Sequence, residues 1–193
     1  MIKIMSSQIA HLFDTAPSRA FSKGDTLFRV GDPVIHVYLV DSGQLGLRRI
    51  TETGTDMLLQ VAGPTAIFAE GSVYAAQYHC DGIALRDSQC RVLPRDSFRA
   101  RLGGDASLLD QWAAYLAQAV QAARARAEIR GLKTVAQRLD MWLTLGSGAM
   151  PPKGQRQTVA AELGVSREAL YREVARRADR AALAKKTPKA STR

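Results

Sequence analysis

The sequence predicts an α+β chain: an antiparallel β-sandwich or barrel, then one long helix, then a small helical unit containing a helix–turn–helix. Three observations carry this. Glycines punctuate the first hundred residues, with short runs of strand formers between them. From about Ala106 to Ile129 there is no glycine or proline, and apolar residues recur at three- and four-residue steps. Beyond residue 155 a short apolar helix, a glycine and a polar second helix follow in order.

The barrel comes first. Gly31, Gly43, Gly54, Gly63, Gly71 and Gly82 are separated by 12, 11, 9, 8 and 11 residues. Between them lie HVYLV at 36–40, QLGLRRI at 44–50 and DMLLQVAG at 56–63. Leu45 and Leu47 alternate with small or polar neighbours, as do Met57, Leu59 and Val61. Short strands at this spacing, closed by turns such as DSG at 41–43 and ETGT at 52–55, predict an antiparallel sandwich or barrel. Glycine at such turns is expected to supply positive φ.

The long helix follows. Leu108, Leu109, Trp112, Leu116, Ala119, Val120, Ala123 and Ala127 read as one apolar stripe. A helix of about 25 residues runs roughly 36 Å, longer than a small barrel needs for cover. The surplus suits pairing with the same helix of a second chain, with Ala119, Ala123 and Ala127 allowing close approach. Gly131 breaks the pattern, and Leu132–Leu145 reads as another helix with Val135, Leu139, Trp142 and Leu143 on one side. GSGAMPPKG at 146–154 is a loop.

The last element is QRQTVAAELGVSREALYREVARR at 155–177. Val159, Ala160 and Leu163 form the inner face of a short helix, Gly164 takes the turn, and Ser166 caps a second helix. Leu170 and Val174 face inward, leaving Arg167, Glu168, Tyr171, Arg172 and Ala175 opposite. Arg172 can donate two hydrogen bonds to guanine, and Glu168 can accept from a cytosine amino group. The two are four residues apart and can order each other. Arg167 and the Tyr171 hydroxyl suit phosphates.

Composition narrows the field. At 193 residues with 46% hydrophobic and 23% charged, the chain is too apolar for disorder. No apolar run reaches the roughly 20 residues of a membrane span. The opening MIKIMSSQIAHLF shows no export signal, so a cytoplasmic location is expected. Cys80 and Cys90 alone make no disulfide framework or four-cysteine metal site. His11, His36 and His79 are isolated, and no nucleophile–His–acid order or phosphate loop stands out, so no enzyme is expected. Residues 1–150 carry a net charge of +2 and residues 151–193 a net charge of +7. A basic end of this kind suits a polyanion.

Three stretches resemble one family. GDPVIHVYLVDSGQLGLRR at 31–49, GPTAIFAEGSVY at 63–74 and GVSREALYRE at 164–173 are similar to segments of the Crp–Fnr family of bacterial transcription regulators. The resemblance covers about residues 20–178. It implies a cyclic-nucleotide-binding-type β-barrel (jelly-roll type) sensing an effector over 1–105, a dimerisation helix over 106–131, and a winged helix–turn–helix DNA-binding domain with a basic tail over 132–193. It implies a homodimer on double-stranded DNA with an inverted-repeat site, and RNA polymerase as a further partner. Its recognition helix places Ser166, Arg167, Glu168, Tyr171 and Arg172 at DNA, with Glu168 and Arg172 on bases.

The resemblance also shows departures. The nucleotide cassette keeps Glu70 and Gly71, but its phosphate-binding Arg–Ser pair falls on Cys80 and Asp81, and the helix offers Ala119 and Val120 where hydroxyls would meet a base. A thiol and a carboxylate hold a phosphate poorly. Weak or absent cyclic AMP and cyclic GMP binding is therefore expected. No cysteine precedes Cys80, which disfavours an iron–sulfur cluster. His79 and Cys80, facing Ala119, Val120 and Ala123, leave room for a haem-dependent gas sensor of the same fold. A regulator without a ligand and a protein-interaction module that does not bind DNA fit the same residues. Glu173 and Arg177 stand where the family has apolar residues, and DRAALAKKTPKASTR at 179–193 lacks the alternation of a wing.

Overall fold

A computed structural model describes residues 7–146, 149–150, 152, 154 and 156–186. The chain divides into two compact units, Met1–Ala125 and Arg126–Arg193.

Among its described residues the first unit has a short helix α1 (Ser7–His11) and then eight strands: β1 (Ser18–Phe21), β2 (Thr26–Phe28), β3 (His36–Ser42), β4 (Leu45–Ile50), β5 (Asp56–Ala62), β6 (Ile67–Phe68), β7 (Asp81–Ala84) and β8 (Ser88–Pro94). They form two four-stranded antiparallel sheets, ordered β1-β8-β3-β6 and β2-β7-β4-β5. This is the expected jelly-roll-type barrel. The three strands predicted from the sequence are β3, β4 and β5, within two residues at each end.

Gly31, Gly43 and Gly54 take the positive φ expected of turns. Gly63, Gly71 and Gly82 do not. Gly82 is no turn at all: it lies inside β7, where a Cβ would stand 2.4 Å from the Phe28 ring. Its role is to let an aromatic ring approach the strand backbone.

β3 shows how the core is split. Tyr38 and Val40 point between the sheets, into a cluster with Phe21, Phe28, Leu45, Phe68, Cys80 and Cys90. Val37 and Leu39 point the other way, into a second cluster with Ile9, Phe13, Ile67, Phe98, Trp112 and Tyr115. A strand buried on both faces reads as an unbroken apolar run, and HVYLV is one. The second cluster lies under α1, α2 (Arg95–Gly103) and the first half of α3 (Ala106–Gly131).

The single apolar stripe expected on α3 is two faces. Leu108, Trp112, Tyr115 and Leu116 pack on the second cluster. Leu109 and Val120 are 46% and 49% exposed, and Ala113, Ala123 and Ala127 are exposed with them. Positions 109, 113, 116, 120, 123 and 127 step by alternating four and three residues, the 3.5-residue repeat of a two-helix seam.

The second unit holds α4 (Val135–Leu145), α5 (Arg156–Leu163) and α6 (Arg167–Lys186) around Ile129, Leu139, Val159, Ala160, Leu163 and Leu170. α4 begins three residues after the expected Leu132. Thr134 and Gln137 form a capping box there, each side chain bonding the other's backbone N–H. Where 179–193 lacks the alternation of a wing, α6 continues as helix for 20 residues, and no strand follows it among the described residues. No glycine or proline interrupts the chain from 165 to 187. Within the expected basic tail, residues 182–186 are therefore helical, and 187–193 lie outside the described residues.

Among the described residues no helix is long and apolar enough to cross a membrane, and no cluster of His, Cys, Asp and Glu could hold a metal ion.

Candidate nucleic-acid interface

The α5–turn–α6 motif is built as its spacing predicts. Val159, Ala160 and Leu163 of α5 and Leu170 of α6 are buried, and Val174 packs beside them. Gly164 takes φ 65° at the turn. The Ser166 hydroxyl accepts a hydrogen bond from the Ala169 N–H at 3.1 Å, which caps α6. This inward set leaves Arg167, Glu168, Arg172 and Ala175 exposed or half-exposed. Tyr171 is half-buried, with the guanidinium groups of Arg156 and Arg167 lying 5.8 and 5.4 Å from its ring centre.

Glu168 titrates below the usual carboxylate range. Its own backbone N–H contributes most, then the Ser166 hydroxyl, with Arg167 and Arg172 adding charge attraction. The carboxylate is thus ionised at neutral pH and ready to accept. The ion pairs of the described residues do not include one between Glu168 and Arg172.

The sequence reading missed what Glu173 and Arg177 do. Glu173 is buried and accepts from Arg176 Nε and Nη2 at 2.8 and 2.7 Å and from Arg177 Nε at 2.7 Å. Arg177 also donates to Asp140 at 2.7 Å and to the Ala136 carbonyl at 3.0 Å. The hydrogen bonds from Arg176 above all, then those from Arg177, hold the Glu173 carboxyl down at about 2. The charged pair therefore fastens α6 to α4 at the positions where this chain departs from the apolar residues of the family it resembles.

The eight expected effector residues lie in different settings. Glu70 is buried in a turn of 3-10 helix, where Gln60 Nε2 donates to both its carboxylate oxygens at 3.1 and 3.0 Å. Gly71 and His79 are exposed, and the His79 carbonyl accepts from the Arg49 guanidinium. Cys80 is buried in the barrel core, and burial pushes its thiol up. Asp81 accepts from the Val30 N–H at 2.9 Å. Ala119 is half-buried, and Val120 and Ala123 are exposed. Cys80 thus belongs to the cluster between the sheets, whereas α3 packs on the other one. A surface cavity of about 410 Å³, lined by Tyr74, Asp96, Arg99, Leu102 and Leu109 among others, includes none of the eight. Sequence reasoning missed Gln60 and Arg49, because only strand pairing brings them to this region.

Comparison with known proteins agrees with this architecture. Residues 18–105 match the model of the cyclic nucleotide-binding domain family. The structure of FixK2 from Bradyrhizobium japonicum is 18% identical, with 86% of each chain covered and a TM-score of 0.74. The c-di-GMP-responsive global regulator CLP of Xanthomonas campestris is 18% identical over 90% of this chain and 93% of its own, with a TM-score of 0.66. The Thermus thermophilus catabolite activator protein is 23% identical over 91% and 84%, with a TM-score of 0.53. No curated protein matches the chain. At these identities the likeness establishes the fold alone: a cyclic-nucleotide-binding-type barrel followed by a long helix and C-terminal helices.

Proposed function

From the Crp–Fnr fold of this chain we propose a homodimeric DNA-binding transcription regulator, with the barrel as sensor over 1–105, a dimerisation helix over 106–131 and a DNA-binding unit over 132–193. One observation carries it: Glu168 and Arg172 stand exposed on a Ser166-capped helix whose Leu170 is fully buried in a helix–turn–helix core. An inward anchor and an outward acid–base pair are what a helix entering the major groove needs. The exposed seam on α3 supports the dimer, since a second apolar helix would take Leu109 and Val120 out of water. A two-fold pair of such units reads two half-sites about one helical turn apart. Arg172 and Arg180, both exposed, supply charge for phosphates along the same helix.

The sensor does not read a cyclic nucleotide in this proposal. The cassette's phosphate position holds a buried thiol and a carboxylate already bonded to Val30, and Gln60 occupies Glu70. Haem fits poorly as well, because Cys80 is buried in the cluster between the sheets while His79 is exposed, and α3 packs on the other cluster.

The test is selection of duplexes from a random-sequence pool by the full chain, followed by gel shifts across a salt series. A regulator selects an inverted repeat and weakens steeply with salt. Arg172→Ala should then lower discrimination by about 1–3 kcal/mol at one base pair per half-site. Binding that ignores salt, or a variant that discriminates as the wild type does, overturns the reading. A calorimetric titration with cyclic AMP should show no heat of binding; micromolar affinity would restore the nucleotide sensor.

A further inference from the structure

A helix leaves its last four carbonyls without intrahelical partners. In α5 these belong to residues 160–163. The backbone supplies two donors: the Val165 N–H bonds the Ala160 carbonyl at 3.0 Å, and the Gly164 N–H bonds the Ala161 carbonyl at 3.1 Å. Two arginines from outside the motif supply the rest. Arg130 donates through Nη2 to Ala161 at 3.1 Å and through Nε to Glu162 at 3.2 Å. Arg138 donates through Nη1 to the carbonyls of Leu163 and Gly164, both at 3.1 Å. Five consecutive carbonyls, 160–164, are thereby engaged.

The fit is close. A Cβ on residue 164 would stand 3.3 Å from Arg130 Cγ, and Gly164 is in the left-handed region in any case. Trp142 Nε1 holds the Glu162 carboxylate at 2.6 Å. The two guanidinium groups gather where the α5 dipole is negative, which offsets their repulsion. Arg138 Nε also donates to the Leu132 carbonyl at 2.8 Å, so one side chain joins the segment after α3 to the turn. Ser166, which starts α6, is two residues past the last clamped carbonyl.

We propose that Arg130 and Arg138 are positioning residues for base recognition: together they fix the α5–α6 turn to the chain leaving α3, and so set where Glu168 and Arg172 point. The proposal rests on the DNA-binding reading above. A displacement of residues 130–134 passes to the turn through these bonds, which gives a signal on α3 a physical route to α6.

The test uses Arg130→Lys and Arg138→Lys in the full chain. Each keeps its charge but loses the planar fork that serves two carbonyls. Affinity for the selected operator should fall about tenfold or more. Affinity for a random-sequence duplex should change by less than about twofold, with an unaltered salt slope, because the charge count is the same. Hydrogen exchange across residues 161–170 should quicken in both variants and stay unchanged in the barrel. Equal losses on both duplexes, or unaltered exchange in 161–170, overturn the proposal while leaving the regulator intact. A wild-type chain that selects no sequence fails the regulator reading, and base positioning with it.

Discussion

The two units of this chain hold themselves together by different physics. The barrel unit buries aromatic and aliphatic side chains in two clusters, with Phe28 stacked on Tyr78 at 3.5 Å and Phe98 edge-on to Trp112 at 5.1 Å. Among its described residues the C-terminal unit buries six small or aliphatic side chains in its core and relies on arginines for the rest: Arg130 and Arg138 on carbonyls, Arg177 between Glu173, Asp140 and Ala136. A unit of this size has too little apolar interior to fix the helices by burial alone. Directional, charged contacts supply the geometry instead, and geometry is what base recognition requires.

The largest expected effect lies on the barrel side. Phe68 is 1% exposed and packs against Phe28 at 5.6 Å. Phe68→Ala should cost about 3–5 kcal/mol, read as loss of hydrogen-exchange protection in β3 and β8. Loss confined to the C-terminal unit would contradict the division.

The next lies on the other side. Glu173→Gln removes the charge that Arg176 and Arg177 share. Buried pairs cost several kcal/mol to break, but these arginine side chains are 43% and 30% exposed, so solvent screening reduces the loss to about 1–3 kcal/mol. The double change Glu173→Met with Arg177→Leu should recover stability, since a matched apolar pair is often as good as a buried ion pair. If the double variant is as unstable as Glu173→Gln in chemical denaturation, the network does more than hold helices together.

Acidity and alkalinity should separate the units. The Glu173 carboxyl is held down at about 2, so its stabilising contribution is complete above the ordinary carboxylate range and is lost as pH falls toward 2. Burial, with a smaller push from Asp41, raises the Cys90 thiol to about 12. A buried thiol that must stay neutral favours the folded chain below the ordinary value near 9, and that preference is lost as pH rises from there toward 12. Exchange measured at both extremes should show the C-terminal unit opening first in acid and the barrel first in alkali. The reverse order would mean other groups govern both transitions.

The same contrast explains what the sequence made legible. α5, Gly164, Ser166 and α6 were readable because caps, turns and the 3.6-residue period are facts about residues within four of each other. The β4–β5 hairpin was readable for the same reason. β1 and β8 were not, since Ser18 pairs with Arg91 and nothing near either announces the other. Gln60 on Glu70, Arg49 on His79, and Arg130 and Arg138 on the α5 carbonyls are long-range contacts of the same kind. The α3 stripe failed differently: over about 22 residues a 3.6-residue face and a 3.5-residue seam share positions, and Leu116 belongs to both. The length of α6 is legible in an unbroken run without glycine or proline up to Pro188.

The smallest effect is also the most local. Ser166→Ala removes the hydroxyl that accepts from Ala169 N–H and helps hold the Glu168 carboxylate ionised. Loss of the cap should cost about 1 kcal/mol. The cost should fall on the C-terminal unit alone and appear as faster exchange at the start of α6. Ser166→Asp restores the cap, because its carboxylate accepts the same N–H at the positive end of the helix. It also sets a second negative charge two residues from Glu168, on the face proposed to meet phosphates. Ser166→Asp should therefore regain stability while losing DNA affinity, whereas Ser166→Ala should lose stability and keep most of its affinity. If the two measurements moved together across both variants, the start of α6 would serve folding only, and the exposed acid–base pair beyond it would need another explanation.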